Sequence, residues 1–167
     1  MAGFFGFVYV AVMMSFIYQI RELQNGGEFV VLLFLAAWGN DTLAYCTGML
    51  IGKHKMSPIL SPKKSIEGLV GGIVGAAILG ALYGLYLNTY IRFSFNPVTM
   101  FPIVCGLSGA VSVIGDLAAS AIKRDSGIKD YGTLIPGHGG ILDRFDSIIF
   151  IAPVIYYLTV MISGGAI

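Results

Sequence analysis

Apolar and polar positions divide the chain into five long apolar stretches, roughly Phe4–Ile20, Phe29–Ile51, Leu69–Ile91, Val98–Ile122 and Ser147–Ile162. A helix needs about 20 mostly apolar residues to cross the hydrocarbon core of a bilayer, and these stretches are of that order. A transmembrane β-barrel would alternate over shorter segments. The first stretch has neither a basic leader nor a small-residue cleavage motif, and its apolar run is too long for a signal-peptide core. The pattern therefore predicts an all-α fold: one polytopic transmembrane helical bundle of about five spanning helices, a single domain over residues 1–167.

Composition strengthens that expectation. Hydrophobic residues make up 56% of the chain and charged residues 11%, against about 25% charged in a typical globular domain. Mean hydropathy is +0.83. A soluble fold of this size could not cover so much apolar surface with so few charges. Basic nucleic-acid-binding arms, coiled coils and disordered tails are excluded on the same grounds, so no nucleic-acid partner is expected. Cys46 and Cys105 both fall inside apolar stretches, with no disulfide or metal-ligand spacing.

Charge placement orients the bundle. Of the ten basic residues, Lys53, Lys55, Lys63 and Lys64 lie between the second and third stretches, and Lys123, Arg124, Lys129 and Arg144 between the fourth and fifth. Only Arg21 and Arg92 lie in the opposite loops. The positive-inside rule makes the basic side cytoplasmic. On the third stretch Gly68, Gly72, Ala76, Gly80 and Gly84 recur every four residues, a small-residue face that lets another backbone approach closely. Its partner is another helix of the chain or a second subunit, so a homodimer through this glycine-rich face is one expectation.

Two acids interrupt the apolar runs. Asp41 follows the apolar run Phe29–Asn40, and Asp116 lies well inside the fourth stretch. A charge near mid-bilayer costs about 2.5–3.5 kcal/mol on insertion scales, so such residues line cavities, pair or bind ions. Ser112, Asp116, Ser120 and Lys123 share one helical face that leads to a basic loop. Asp41, Tyr45 and Gly48 form a comparable face. The plainer alternative is a buried hydrogen-bonded network that only joins helices.

The basic loops hold more than topology requires. The first carries two Ser-Pro pairs and Lys63–Lys64, followed by Ser65 and Glu67, which suit a helix start. There Lys53, His54 and Lys55 have the look of solvated charge. The second combines Lys123, Arg124, Lys129 and Arg144 with Asp125, Asp130, Asp143 and Asp146 around a Pro-Gly-His138-Gly-Gly turn. Lys and Arg neutralise phosphates, carboxylates hold the hard dications that bridge them, and glycines let backbone amides approach phosphate oxygens. The combination suggests phosphoryl or nucleotidyl transfer at a membrane surface. Gly48–Lys53 is one residue short of a Walker A loop and follows a membrane stretch rather than a strand, so it is set aside.

The run Ser120-Ala-Ile-Lys-Arg-Asp-Ser-Gly-Ile-Lys129-Asp-Tyr-Gly-Thr-Leu-Ile-Pro136-Gly-His-Gly-Gly-Ile-Leu-Asp143-Arg-Phe-Asp146 resembles the signature of the phosphatidate cytidylyltransferases, or CDP-diacylglycerol synthases. It fits their S-x-x-K-R-x-x-x-x-K-D…P-x-H-G-G-x-x-D-R-x-D pattern at every fixed position. Gly115-Asp116-Leu, Asn40-Asp41-Thr-x-Ala-Tyr45 and Ser61-Pro-Lys-Lys64-Ser-x-Glu67-Gly68 also resemble the family, with Ser65 standing where many members have Thr. The resemblance covers about residues 29–160 and is to the C-terminal part of the family, whose members carry further spans before it.

This resemblance implies transfer of CMP from CTP to phosphatidic acid, giving CDP-diacylglycerol and pyrophosphate. It implies a metal centre containing Mg²⁺ on Asp116 and Asp143, with a second metal ion, a monovalent cation included, as an option. Lys123 and Ser120 would join those two aspartates in the catalytic set. Lys64, Arg124, Lys129, His138, Arg144 and Asp41 would bind substrate, and Asp146 would help orient Asp143. The lipid would reach the site from the bilayer. The expected setting is a bacterial inner membrane, with the site facing the cytoplasm. Two rivals stay open: CTP-dependent transfer to another lipid phosphate or lipid alcohol, and an ion or proton relay through Asp41 and Asp116.

Overall fold

The computed structural model describes residues 7–57, 61–125, 127–128, 131–132, 140 and 142–163, without the side chains of residues 7–9, 62, 63 and 144. Helix α1 runs from a π-helical turn, Phe7–Val12, into an α-helix, Met13–Glu22. Asn25 turns the chain with a φ of 59°, a left-handed conformation that Asn tolerates better than most residues. Helix α2, Gly26–Ile51, follows. Then come a small antiparallel hairpin, β1 (Lys55–Ser57) and β2 (Ser61–Ser65), and helices α3 (Ile66–Asn88), α4 (Pro97–Asp125) and α5 (Leu142–Ile162).

Among the described residues, four helical segments are long and apolar enough to cross a membrane: Gly26–Ile51, Ile66–Asn88, Pro97–Asp125 and Phe145–Ile162. The chain is an all-α, polytopic integral membrane protein. The first expected span is represented by α1, which packs on α5 and α2; residues 1–6 of that stretch lie outside the described residues.

Local chemistry sets the helix starts. Ser65 caps α3, its Oγ accepting from the Gly68 amide at 3.1 Å, as its position before the helix suggests. Asn96 does the same for α4, its Oδ1 accepting from the Val98 amide at 3.0 Å. Pro97 follows it, where a missing N–H costs nothing. The hairpin was not foreseen. Its strands are short and carry no apolar alternation, so nothing in the hydrophobic pattern marks them.

The glycine face of α3 is buried and filled by this chain's own helices. A Cβ added to Gly68 would lie 2.7 Å from the Ala44 carbonyl oxygen, and one on Gly72 2.8 Å from that of Asn40, both on α2. At the other end, Cβ atoms on Gly80 and Gly84 would lie 2.7 Å from the Phe101 oxygen and 2.4 Å from the Pro97 oxygen of α4. The expected homodimer surface is therefore corrected: α2 and α4 occupy it, because backbone contact within the chain uses up the space that the glycines provide. Gly84→Ala is expected to destabilise the bundle by about 1–3 kcal/mol through overpacking. Gly27→Ala, where an added Cβ meets nothing within 4 Å, should leave the thermal midpoint in detergent unchanged or slightly raised. Equal midpoints for the two variants would contradict the packing.

Candidate active site

The site begins at an irregularity in α2. Leu35–Gly39 form a π-helical turn between Gly26–Phe34 and Asn40–Ile51, which shifts the helical phase just before Asn40 and Asp41; such turns recur at functional sites. Asn40 is 1% exposed. Its Nδ2 donates to Ser112 Oγ of α4 at 3.0 Å, and that hydroxyl donates to the Gly109 carbonyl at 2.9 Å. The Asn40 Oδ1 sits about where a side chain on Gly72 or Gly109 would begin, 2.8 and 2.9 Å from their ideal Cβ positions. Ser112, the innermost member of the polar face on α4, thus serves helix packing, and it fixes the level of Asp41.

One turn further along α4, Asp116 collects partners from two other elements. Lys64 Nζ of β2 donates to Asp116 Oδ2 at 2.5 Å. Ser147 of α5 has its Oγ 2.5 Å from Asp116 Oδ1 and 3.2 Å from Asp41 Oδ2. A hydroxyl carries one proton, so Ser147 donates to one carboxylate at a time while tying both to α5. Asn40, Asp41, Lys64 and Asp116 line a cleft of about 540 Å³. Tyr45, Met49, Met56 and Leu69 add apolar lining. Tyr45 and Met49 are 65% and 69% exposed on a membrane-spanning helix, so the cleft joins a charged floor to a lipid-facing rim.

A second cluster lies at the same end. Lys123 Nζ donates to Asp143 Oδ1 at 2.8 Å and lies 3.9 Å from Asp146 Oδ2. Asp143 Oδ2 accepts from the amides of Tyr131 and Gly140 at 2.8 and 2.9 Å. The Lys123 ammonium also sits 5.1 Å from the Tyr131 ring centroid, a cation–π contact. Burial disfavours the ionised form of Asp143, but the Lys123 hydrogen bond and the two backbone amides outweigh it and hold its carboxyl below the ordinary range. Because folding lowers that value, the pair stabilises the fold above about pH 4 and loses its contribution as pH falls through the folded-state value. The Tyr131 phenol is pushed up, chiefly by burial. Asp146 Oδ1 accepts from the Ser147 amide at 2.9 Å, so the first turns of α5 join the two clusters.

The expected residues divide accordingly. Asp41, Lys64 and Asp116 meet in the cleft, and Lys123 and Asp143 in the second cluster. Ser120 is half-buried on α4 between Asp116 and Lys123. Arg124 is exposed, with Nη1 3.5 Å from the Ile128 carbonyl. Lys129 and His138 lie outside the described residues, as does the Arg144 side chain. Ser147 was missed, although its place four residues after Asp143 puts it on the same helical face. Lys55 is exposed, as solvated charge would be, and stands at the edge of the cleft. His54 Nδ1 lies 2.6 Å from Glu67 Oε1, and Glu67 also accepts from the Lys53 and His54 amides, which ties the α2–β1 junction to α3.

The donor chemistry of Asp41 and Asp116 fits a hard dication: two carboxylates sharing a hydroxyl in a half-buried cleft. Both oxygens of Asp116 already accept, from Lys64 and Ser147, and those of Asp143 accept from Lys123 and two backbone amides, so ligation by either acid would require its lysine to move aside. Among the described residues, no group of three His, Cys, Asp or Glu side chains is placed to hold a metal ion.

Fold and site together define a polytopic integral membrane protein with a charged cleft at one end of its bundle, open to both the lipid-facing surface and the hairpin. The cytidylyltransferase family profile matches residues 1–162, and the chain belongs to that family. It is 37% identical over 154 residues to the phosphatidate cytidylyltransferase of Staphylococcus saprophyticus, covering 92% of this chain and 56% of that protein. It is 40% identical over 152 residues to the enzyme of the same name from Staphylococcus aureus strain COL, covering 91% and 56%. With that of Staphylococcus haemolyticus it shares 36% over 146 residues, covering 87% and 54%. The chain spans about half the length of these relatives.

Proposed function

We propose that this chain carries the site at which a cytidylyl group passes from CTP to phosphatidic acid, giving CDP-diacylglycerol and pyrophosphate. One observation carries the reading: Asp41, Lys64, Asp116 and Ser147, drawn from four elements, converge beside an apolar, lipid-facing rim. A lipid phosphate needs such a cleft, with a cation at the floor and hydrocarbon contact at the edge. The relatives named phosphatidate cytidylyltransferase support the same substrate pair.

In the reaction a phosphate oxygen of the lipid forms a bond to the α-phosphorus of CTP, and the bond from that phosphorus to the bridging oxygen breaks as pyrophosphate leaves. No protein nucleophile is required; positioning and charge neutralisation supply the rate. Lys64 at the cleft floor sets one phosphate, and Lys123 neutralises charge on another as the anhydride bond breaks. Asp116 and Asp41 would hold Mg²⁺, with Asp143 joining on release from Lys123; the ion, when bound, supplies further neutralisation of the triphosphate. Ser147 fixes the two cleft carboxylates relative to each other. The basic residues flanking this end support a cytoplasmic orientation by the positive-inside rule, and the bacterial relatives favour the inner membrane.

The test is a panel of lipid acceptors offered with labelled CTP to the membrane-inserted chain. Phosphatidic acid is expected to be converted at least about tenfold faster than a polyprenyl phosphate, a difference of about 1.4 kcal/mol in transition-state binding. Equal or reversed rates would assign the cleft to another lipid phosphate.

A further inference from the structure

The opposite end of the bundle holds a second cavity, of about 160 Å³, between the α1–α2 turn, the α3–α4 loop and the end of α5. Its polar lining among the described residues is Gln24, Asn25, Arg92, Ser94, Thr159 and Ser163, with no carboxylate side chain among them. Thr159 is 2% exposed, and its Oγ1 has no hydrogen-bond partner among the described residues. A buried hydroxyl without a partner costs about 1–3 kcal/mol. Phe29, Phe93 and Phe95 line the apolar side. They pack on one another at centroid distances of 5.2–6.5 Å.

The position is informative. Spans Gly26–Ile51, Ile66–Asn88, Pro97–Asp125 and Phe145–Ile162 all begin or end beside this cavity, so it lies at the level where lipid headgroups meet the hydrocarbon. Arg92 is one of only two basic residues at this end. The guanidinium, amide and hydroxyl donors of the described lining residues suit an anion with several acceptor oxygens. An aromatic wall below it suits the glycerol and first methylenes of a lipid.

We propose that this cavity is a binding site for a phosphate group, from a lipid headgroup of the leaflet opposite the cleft or as free phosphate. The group is held by Arg92 and completes the hydrogen bonding of Thr159. The site is separate from the cytidylyl-transfer cleft and does not depend on that reading.

The experiment follows the thermal unfolding midpoint of the full chain in detergent during titration with dihexanoyl phosphatidylglycerol and, separately, with inorganic phosphate. A Lys64→Gln background mutes binding in the cleft. A saturable rise is expected with the lipid. Arg92→Gln should weaken the apparent affinity about tenfold or more, and Thr159→Val by a smaller factor. Thr159→Ser, which restores the donor, should recover most of that loss. The same dependence seen with inorganic phosphate alone would assign the site to the free anion. The proposal is overturned if neither probe gives a saturable shift, or if Arg92→Gln binds as the parent does; that arm stands even if Thr159→Val fails to fold.

Discussion

Asp116→Asn is expected to lower the rate of cytidylyl transfer about 100- to 1,000-fold while leaving the bundle folded. The substitution keeps the side chain's shape but removes the charge that pairs with Lys64 at 2.5 Å and accepts from Ser147. It places an amide group where two donors now converge. Preorganised charge of this kind typically accounts for two to three orders of magnitude in rate. Because the loss falls on the arrangement that meets the reacting phosphates, kcat should drop far more than KM for CTP rises. Near wild-type turnover in Asp116→Asn, with normal expression and thermal midpoint, would remove the cleft from the chemistry.

Lys123→Ala should cost both stability and activity, and the two losses can be separated. Lys123 and Asp143 have side-chain exposures of only 12% and 5%. Breaking a buried pair by removing one partner costs about 3–5 kcal/mol, because the remaining charge is left uncompensated. Asp143→Asn in the same chain removes that stranded charge, so the double variant should recover much of the thermal midpoint. Turnover should stay low, because the cation near the transferred phosphates is gone. Lys53→Ala is the control: its side chain is exposed and its backbone amide keeps the bond to Glu67, so stability should move by no more than about 0.5 kcal/mol. Recovery of activity together with stability in the double variant would make Lys123 a structural residue only.

The spanning helices were legible because their physics is one-dimensional: apolar runs of membrane length need no knowledge of neighbours. The glycine period on α3 was equally plain, but its partner was not, since small residues signal close approach without naming what approaches. The site was legible as residue types. Asp41, Asp116 and the Lys–Asp–Gly-rich loop are too costly or too dense for topology alone. Their pairing was not, because it depends on tertiary placement. Lys64 reaches Asp116 only because an unmarked hairpin turns β2 back toward α4, and Asp41 reaches Ser147 only after the π-helical turn shifts its phase. The expected grouping of Asp116 with Asp143 illustrates the difference. Each acid has its own lysine, and Ser147 and Asp146 link the two clusters through α5.

The central claim is that the cleft joins a CMP unit to a lipid phosphate, and the position of bond cleavage in CTP tests it most directly. The chain, inserted in membranes containing phosphatidic acid and supplied with Mg²⁺, is given CTP radiolabelled at the α-phosphorus or, in a parallel reaction, at the γ-phosphorus. The account predicts that α-label appears in the lipid fraction as CDP-diacylglycerol, that γ-label appears only in pyrophosphate, and that Asp116→Asn slows both about 100- to 1,000-fold. Recovery of γ-label in the lipid fraction would mean phosphorylation of a lipid alcohol and would contradict it.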